Sequence, residues 1–213
     1  MKKFTRGKID SFLEKYSSEA NVLDIGASSG DHSNYYPHAL TIDIDPSRKP
    51  DQVADAQELP FEDHSFDGIV CSEVLEHIPN PKKAIAEMRR VLVPGGFVVL
   101  TTRFLFPVHD APGDYFRFTP YALEELFKDW DMREVASENG PFSTIAVLLQ
   151  RILFQTDIRG GKATKAVLYL FAKFFSYLDA LIVKSYGDIR RSSEVTTIMT
   201  SGVYIYCTSP RSN

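Results

Sequence analysis

The stretch Val22-Leu23-Asp24-Ile25-Gly26-Ala27-Ser28-Ser29-Gly30 decides the fold. Its first four residues read as a buried strand, because a central parallel strand is covered on both faces and tolerates few polar side chains. The strand runs straight into small residues, and glycines there let the backbone turn sharply and approach a ligand closely. In open α/β sheets, ligands bind at this carboxyl end of the strands. Three chemistries use such a turn. Dinucleotide binding asks for G-x-G-x-x-G, but Ser28 stands between Gly26 and Gly30 and no glycine follows at position 31. A hydrolase nucleophile elbow asks for G-x-S-x-G, which Gly26 to Gly30 spells. Such an elbow sits on an inner strand preceded by others, however, and only about twenty residues come first here. The third chemistry holds a ribose, and needs a carboxylate at the end of the next strand, about twenty residues on.

Asp43 meets that requirement. Leu40-Thr41-Ile42-Asp43-Ile44-Asp45-Pro46 is a short run with a β-branched centre, closed by carboxylates and stopped by proline. Further along stand Val53-Ala54-Asp55-Ala56, then Ser65 to Ser72 followed by Glu73-Val74-Leu75-Glu76-His77-Ile78, and then Leu92-Val93-Pro94-Gly95-Gly96. Taken singly, Asp24, Asp43 and Asp55 are ordinary turn or cap residues. Jointly, they place carboxylates at successive strand ends around one crevice.

In order and spacing these segments resemble class I, Rossmann-like S-adenosylmethionine-dependent methyltransferases of the type 11 kind, closely over roughly residues 20 to 135. Their acidic residue before a G-x-G-x-G turn is matched by Asp24, with Ser28 replacing the middle glycine. The resemblance implies S-adenosylmethionine as cofactor and Asp24, Gly26, Ala27, Ser28, Gly30, Asp43, Ile44, Asp55, Ala56, Ser72 and His77 as its contacts. Asp43 would hold the ribose, and Asp55 and Ala56 would meet the adenine. The fold it implies is a seven-stranded, mostly parallel sheet with an antiparallel last strand and helices on both faces.

Bulk properties agree with one enzyme domain over residues 1–213. The chain is 44% hydrophobic and 12% aromatic, enough for a full core, and no repeat divides it. Arg6, Lys8 and Asp10 interrupt the start, so no secretory leader is expected there. Cys71 and Cys207 fall in apolar runs and read as small buried hydrophobes, which suits a reducing cytoplasm. A formal charge of −4 gives no global attraction to phosphate backbones, so nucleic acid is not an expected partner. Lys82, Lys83, Arg89 and Arg90 read as the solvated side of a helix from Pro81 to Val93, capped by Asn80, whose apolar face is Ala84, Ile85, Met88 and Leu92.

Acceptor specificity is expected in the segment after the fifth strand, Thr101 to Pro120. There His109 is a candidate general base, with Asp110 to orient it, and Tyr115 and Arg117 are candidate acceptor contacts. The alternative is internal: the aromatics pin the loop, Asp114 pairs with Arg117, and Thr119 caps a helix from Tyr121 to Lys128. The sequence singles out no metal-ligand set. The segment is similar to one in methyltransferases of bacterial cell-surface glycan gene clusters, which implies O-methylation of a sugar or glycan hydroxyl. A small lipophilic acceptor such as a quinone or fatty acid is the second enzyme reading, and a non-catalytic S-adenosylmethionine-binding protein the third.

Between a sixth strand near Met132 to Ser137 and a last near Val203 to Thr208 lies a helical insertion, about 141–190. Ile145, Leu148, Leu149 and Ile152 suggest one amphipathic helix, and Val167, Phe171, Phe174, Leu178, Leu181 and Ile182 a second, divided by Gly160-Gly161. Lys173 and Asp179 argue against a transmembrane span. Four uses are open to the second stripe: packing on the domain as core or lid, a homodimer contact, cover for the acceptor, or peripheral contact with the inner face of a membrane.

Overall fold

The computed structural model describes residues 4–26 and 32–211. Seven strands form one sheet: β1 (Val22–Ile25), β2 (Leu40–Asp43), β3 (Gln52–Val53), β4 (Phe66–Ser72), β5 (Leu92–Arg103), β6 (Asp131–Ser137) and, after a two-stranded hairpin β7 (Ser185–Tyr186) and β8 (Glu194–Val195), the last strand β9 (Gly202–Thr208). Their spatial order is β3-β2-β1-β4-β5-β9-β6. The pairs from β3 to β5 are parallel, whereas β9 lies antiparallel to both β5 and β6.

Alternation along the strands explains the two helical layers. Leu23 and Ile25, Ile69 and Cys71, Val98 and Leu100, and Val203 and Ile205 enter one core. Helices α2 (Pro81–Val91) and α3 (Pro120–Leu126) close it with Ala84, Ile85, Met88 and Leu123, together with Phe127 and Trp130 beyond α3. Val22, Val70, Val99 and Tyr204 point the other way onto Ile9, Phe12 and Leu13 of α1 (Arg6–Lys15). Both faces of β1 are therefore buried, as an inner parallel strand requires. Cys71 and Cys207 are buried free thiols, and burial pushes Cys207 up to about 12.

Several bounds differ from expectation. α2 stops at Val91 because Leu92 is already extended and opens β5. Asn80 caps it as expected, accepting from Lys83 N at 3.2 Å. Arg90 is not part of a solvated face: it bonds Glu87, Asp63 and the carbonyls of Leu59 and Phe61, clamping the loop before β4 to the helix. Thr119 caps α3, which ends at Leu126.

The insertion forms α4 (Pro141–Gln155) and α5 (Gly161–Phe175). The buried line of α4 is Ala146, Val147, Gln150 and Leu153, turned away from the expected Ile145, Leu148, Leu149 and Ile152, and Ile152 is exposed. Asp179 fixes the start of α4 by accepting from Phe142 N and Ser143 N. Of the expected second stripe, Val167, Phe171, Phe174 and Leu181 remain exposed, and α5 ends before Leu178. No helix among the described residues is long and apolar enough to cross a membrane.

Candidate active site

Strand order reverses between β1 and β4, and loops diverging from their carboxyl ends leave a crevice. It measures about 620 Å³, within the range of small-molecule sites. Gly26 turns the chain out of β1 with φ +72°, and a Cβ there would lie 2.2 Å from Val74 Cγ2, so conformation and space both demand glycine. Its N–H donates to Ile42 O at 2.7 Å, tying the turn to β2.

One half of the crevice is built from the ends of β2 and β3. Asp43 accepts from Asp45 N at 2.9 Å, and Asp55 from Gln57 N at 2.8 Å, so each carboxylate is oriented by its own turn. Between them lie Ile42, Ile44, Ala54 and Ala56. Acceptor oxygens beside an apolar wall suit a ligand that combines ribose hydroxyls with an aromatic base. Thr5, Arg6 and Ile9 of α1 complete this half, a contribution the sequence did not announce.

The other half is polar. Glu73, His77, Arg103, His109, Asp110 and Arg151 line it. Beneath them is a buried network: Arg103 pairs with Glu73 and bonds Glu138 at 3.0 Å, Glu138 accepts from Tyr204 Oη at 2.7 Å, and Glu76 Oε2 accepts from Thr102 Oγ1 at 2.7 Å. Burial raises Glu73 and Glu76 above the usual carboxylate range, and Arg103 opposes this at Glu73. Arg103 and Arg151 each lie 4.4 Å from the Phe106 ring centroid. Arg151 is the sole charged side chain of α4, and burial next to Arg103 lowers its pKa. A lone arginine in an apolar helix is the sequence signal that could have flagged it.

The loop after β5 hangs from the same framework. Tyr115 N and Phe116 N donate to Glu76 O at 3.0 and 3.1 Å. Arg117 is spent inside the loop, forking onto Asp114 at 2.6 and 2.7 Å and bonding the carbonyls of Phe106 and Pro107. It is a loop clamp and not the expected acceptor contact, and Tyr115, half exposed, does not line the crevice. Asp114 also replaces Asp110 as the carboxylate of His109. Its Oδ2 accepts from His109 N at 2.9 Å and lies 3.3 Å from Nδ1, whereas Asp110 sits exposed at the rim. The five-residue return of the chain, closed by Arg117, brings Asp114 back where the adjacent Asp110 points away. The Arg117 bonds hold Asp114 well below the usual carboxylate range. Burial lowers His109 to about 4, despite Asp114.

Gly26, Asp43, Ile44, Asp55, Ala56, Ser72 and His77 thus share one crevice with His109 and Asp110. Asp24 does not join them. It alternates with Leu23 and Ile25 toward the α1 side, where it bonds His32 Nδ1 at 2.9 Å with both side chains buried. Ala27, Ser28 and Gly30 lie outside the described residues. Ser72, itself buried, bonds Thr101 at 2.9 Å across β4 and β5.

Topology and crevice together define the class of fold: a Rossmann-like α/β domain with a small-molecule crevice at its switch point. Residues 23–100 match the family model described as a methyltransferase domain. The chain is 39% identical over 93 residues to a demethylmenaquinone methyltransferase of Renibacterium salmoninarum, an alignment covering 37% of this chain and 39% of that protein. It is 34% identical over 107 residues to a tRNA (carboxymethyluridine(34)-5-O)-methyltransferase of Arabidopsis thaliana, covering 44% and 26%. The chain therefore spans well under half the length of these curated relatives. Solved structures match over nearly its whole length. The [4+2]-cyclase SpnF superposes with TM-score 0.61 at 15% identity over 98% of this chain and 82% of that one. A putative methyltransferase from Bacillus halodurans gives 0.59 at 14%, over 96% and 99%.

Proposed function

We propose that the protein transfers a methyl group from S-adenosylmethionine to a hydroxyl of a sugar or glycan. The observation that carries this is the chemistry of the acceptor half of the crevice. Its wall of Glu73, His77, Arg103, His109, Asp110 and Arg151 offers hydrogen-bond donors and acceptors at many angles, as a polyhydroxylated ligand requires. When bound, the cofactor supplies an electrophilic methyl group on a sulfonium.

The chain's own residues then have three tasks. Asp43 holds the ribose hydroxyls, and Ile44 and Ala56 bracket the base, fixing the direction from which the methyl group is presented. Arg151 orients an anionic group of the acceptor, such as a uronic carboxylate or a nucleotide-sugar phosphate. His109, kept neutral by burial, lines the acceptor half beside His77. The loop from Phe104 to Thr119, tied to Glu76 and Arg103 by backbone bonds, excludes water from that side.

The quinone reading draws on the demethylmenaquinone methyltransferases among the relatives. A predominantly charged wall suits a flat apolar acceptor poorly. The test is a transfer assay with methyl-labelled cofactor against nucleotide-linked sugars, lipid-linked sugars and demethylmenaquinone. Label in a sugar product supports the proposal, and label only in the quinone overturns it.

A further inference from the structure

We propose that His77, His109 and Glu76 form a binding site for one divalent first-row metal ion on the acceptor wall of the crevice. One donor atom from each lies within 4.8 Å of the other two. The two imidazoles meet through their Nε2 atoms, 3.2 Å apart, a separation that two nitrogens bound to one metal at about 2.1 Å readily adopt.

Proton bookkeeping at the outer nitrogens explains why these two face each other. His77 Nδ1 lies 2.7 Å from the carbonyl oxygen of Gly113, which can only accept, so Nδ1 carries the proton and Nε2 a lone pair. His109 Nδ1 lies 3.3 Å from Oδ2 of Asp114, outside good hydrogen-bond geometry. The carboxylate is nevertheless close, and Arg117 keeps it ionised. Its charge favours a proton on that nitrogen too. With that proton in place both Nε2 lone pairs point at one another, and a cation between them satisfies both; the alternative is the Nε2–H tautomer of His109 donating to His77. A carbonyl behind one ring and a carboxylate behind the other are the outer partners that orient metal-bound histidines.

Glu76 supplies the third donor. Its side chain is fully buried, Oε2 is used by Thr102, and Oε1 has no hydrogen-bond partner. Arg103 is one competing charge, and Glu73 and Glu138 neutralise it. Arg151 opposes a cation here and has no such partner among the ion pairs of the described residues. Two imidazoles and one carboxylate select Zn²⁺, Co²⁺, Mn²⁺ or Fe²⁺ over Mg²⁺ or Ca²⁺.

The role of this site, unlike the site itself, rests on the proposed transfer. A cation there lowers the pKa of an acceptor hydroxyl. In the balanced step the acceptor O–C bond forms and the sulfonium C–S bond breaks. The electron pair stays on sulfur as the neutral thioether, and the hydroxyl proton passes to water at the crevice mouth.

The test is titration of the untagged, chelator-dialysed full chain with Co²⁺, read as visible d–d absorption. Expected are a band saturating at one equivalent, its displacement by Zn²⁺, and at least about a tenfold weaker affinity in His109→Ala and His77→Gln. Glu76→Gln is a third variant, judged only if its circular dichroism matches the parent, while His109 lies on a loop and tolerates truncation. No band, or equal affinity in His109→Ala, overturns the proposal and leaves the rings sharing a proton. S-adenosylmethionine binding, measured in parallel without metal, separates the two failures: cofactor binding without a cobalt band sinks the metal site alone, and a cobalt band without cofactor binding sinks the transfer reaction alone.

Discussion

Asp43 and Gly26 each do one job that no neighbouring residue can take over. Asp43 is the carboxylate at the end of β2, oriented by Asp45 N. Asp43→Ala is expected to weaken S-adenosylmethionine binding at least tenfold by calorimetry, about 1.4 kcal/mol, the value of a charge-assisted hydrogen bond. Gly26→Ala combines a left-handed φ with a Cβ driven into Val74. A loss of about 2–4 kcal/mol is expected by urea denaturation, and an unchanged midpoint would contradict the turn's geometry. His109 gives a pH signature in the presence of chelator. Its ring faces His77, Asp114, Arg117 and Arg151, and its folded pKa of about 4 lies below the unfolded value near 6.5. Between those values the unfolded chain binds the extra proton, so stability is complete above about pH 6.5 and falls as pH drops toward 4, by about 2–3 kcal/mol at most. His109→Gln should lose that part of the slope between pH 7.5 and 4.5, and a variant as acid-sensitive as the parent would show that other groups carry it.

At the scale of elements, the strands were readable and the site loop only partly so. β1 and β2 announced themselves through apolar runs that end in small residues or carboxylates, because strand burial and turn chemistry are local properties of sequence, whereas β3, β4 and β5 were legible through the family resemblance. The helix caps at Asn80 and Thr119 were readable for the same reason. The partner of His109 was not. Asp110 is adjacent in sequence, but Asp114 is adjacent in space, since the fork of Arg117 fixes a return of the chain that no periodicity encodes. Arg151 was missed because the rotation of α4 is set by Phe4, which donates to Gln150 of the helix, and by Asp179, two partners from distant segments. Its role belongs to the helix that carries it. Arg151→Met keeps the stem packed on Phe106 and removes the charge, so KM for an anionic acceptor should rise about tenfold with cofactor affinity unchanged. A loss confined to cofactor affinity would move Arg151 to the other half of the crevice.

Over the whole molecule, the reversal of strand order between β1 and β4 gathers loops from five strands, α1 and α4 around one opening. The architecture by itself does not fix the reaction, since a [4+2]-cyclase shares it. The proposed methyl transfer rests on the pairing of a carboxylate-and-apolar half with a polar half in one crevice. α5 stands outside that arrangement, with Val167, Leu170, Phe171 and Phe174 exposed along its outer face. Ligand linkage offers a global check: S-adenosylhomocysteine at a hundredfold excess over its dissociation constant should stabilise the fold by about 2.7 kcal/mol, visible as a raised Tm. The most direct measurement is calorimetric titration of S-adenosylmethionine and S-adenosylhomocysteine into the parent protein and Asp43→Ala side by side. Micromolar binding of both to the parent and at least tenfold weaker binding to the variant is the predicted result; no binding to the parent, or equal binding to both proteins, would contradict the assignment of the crevice.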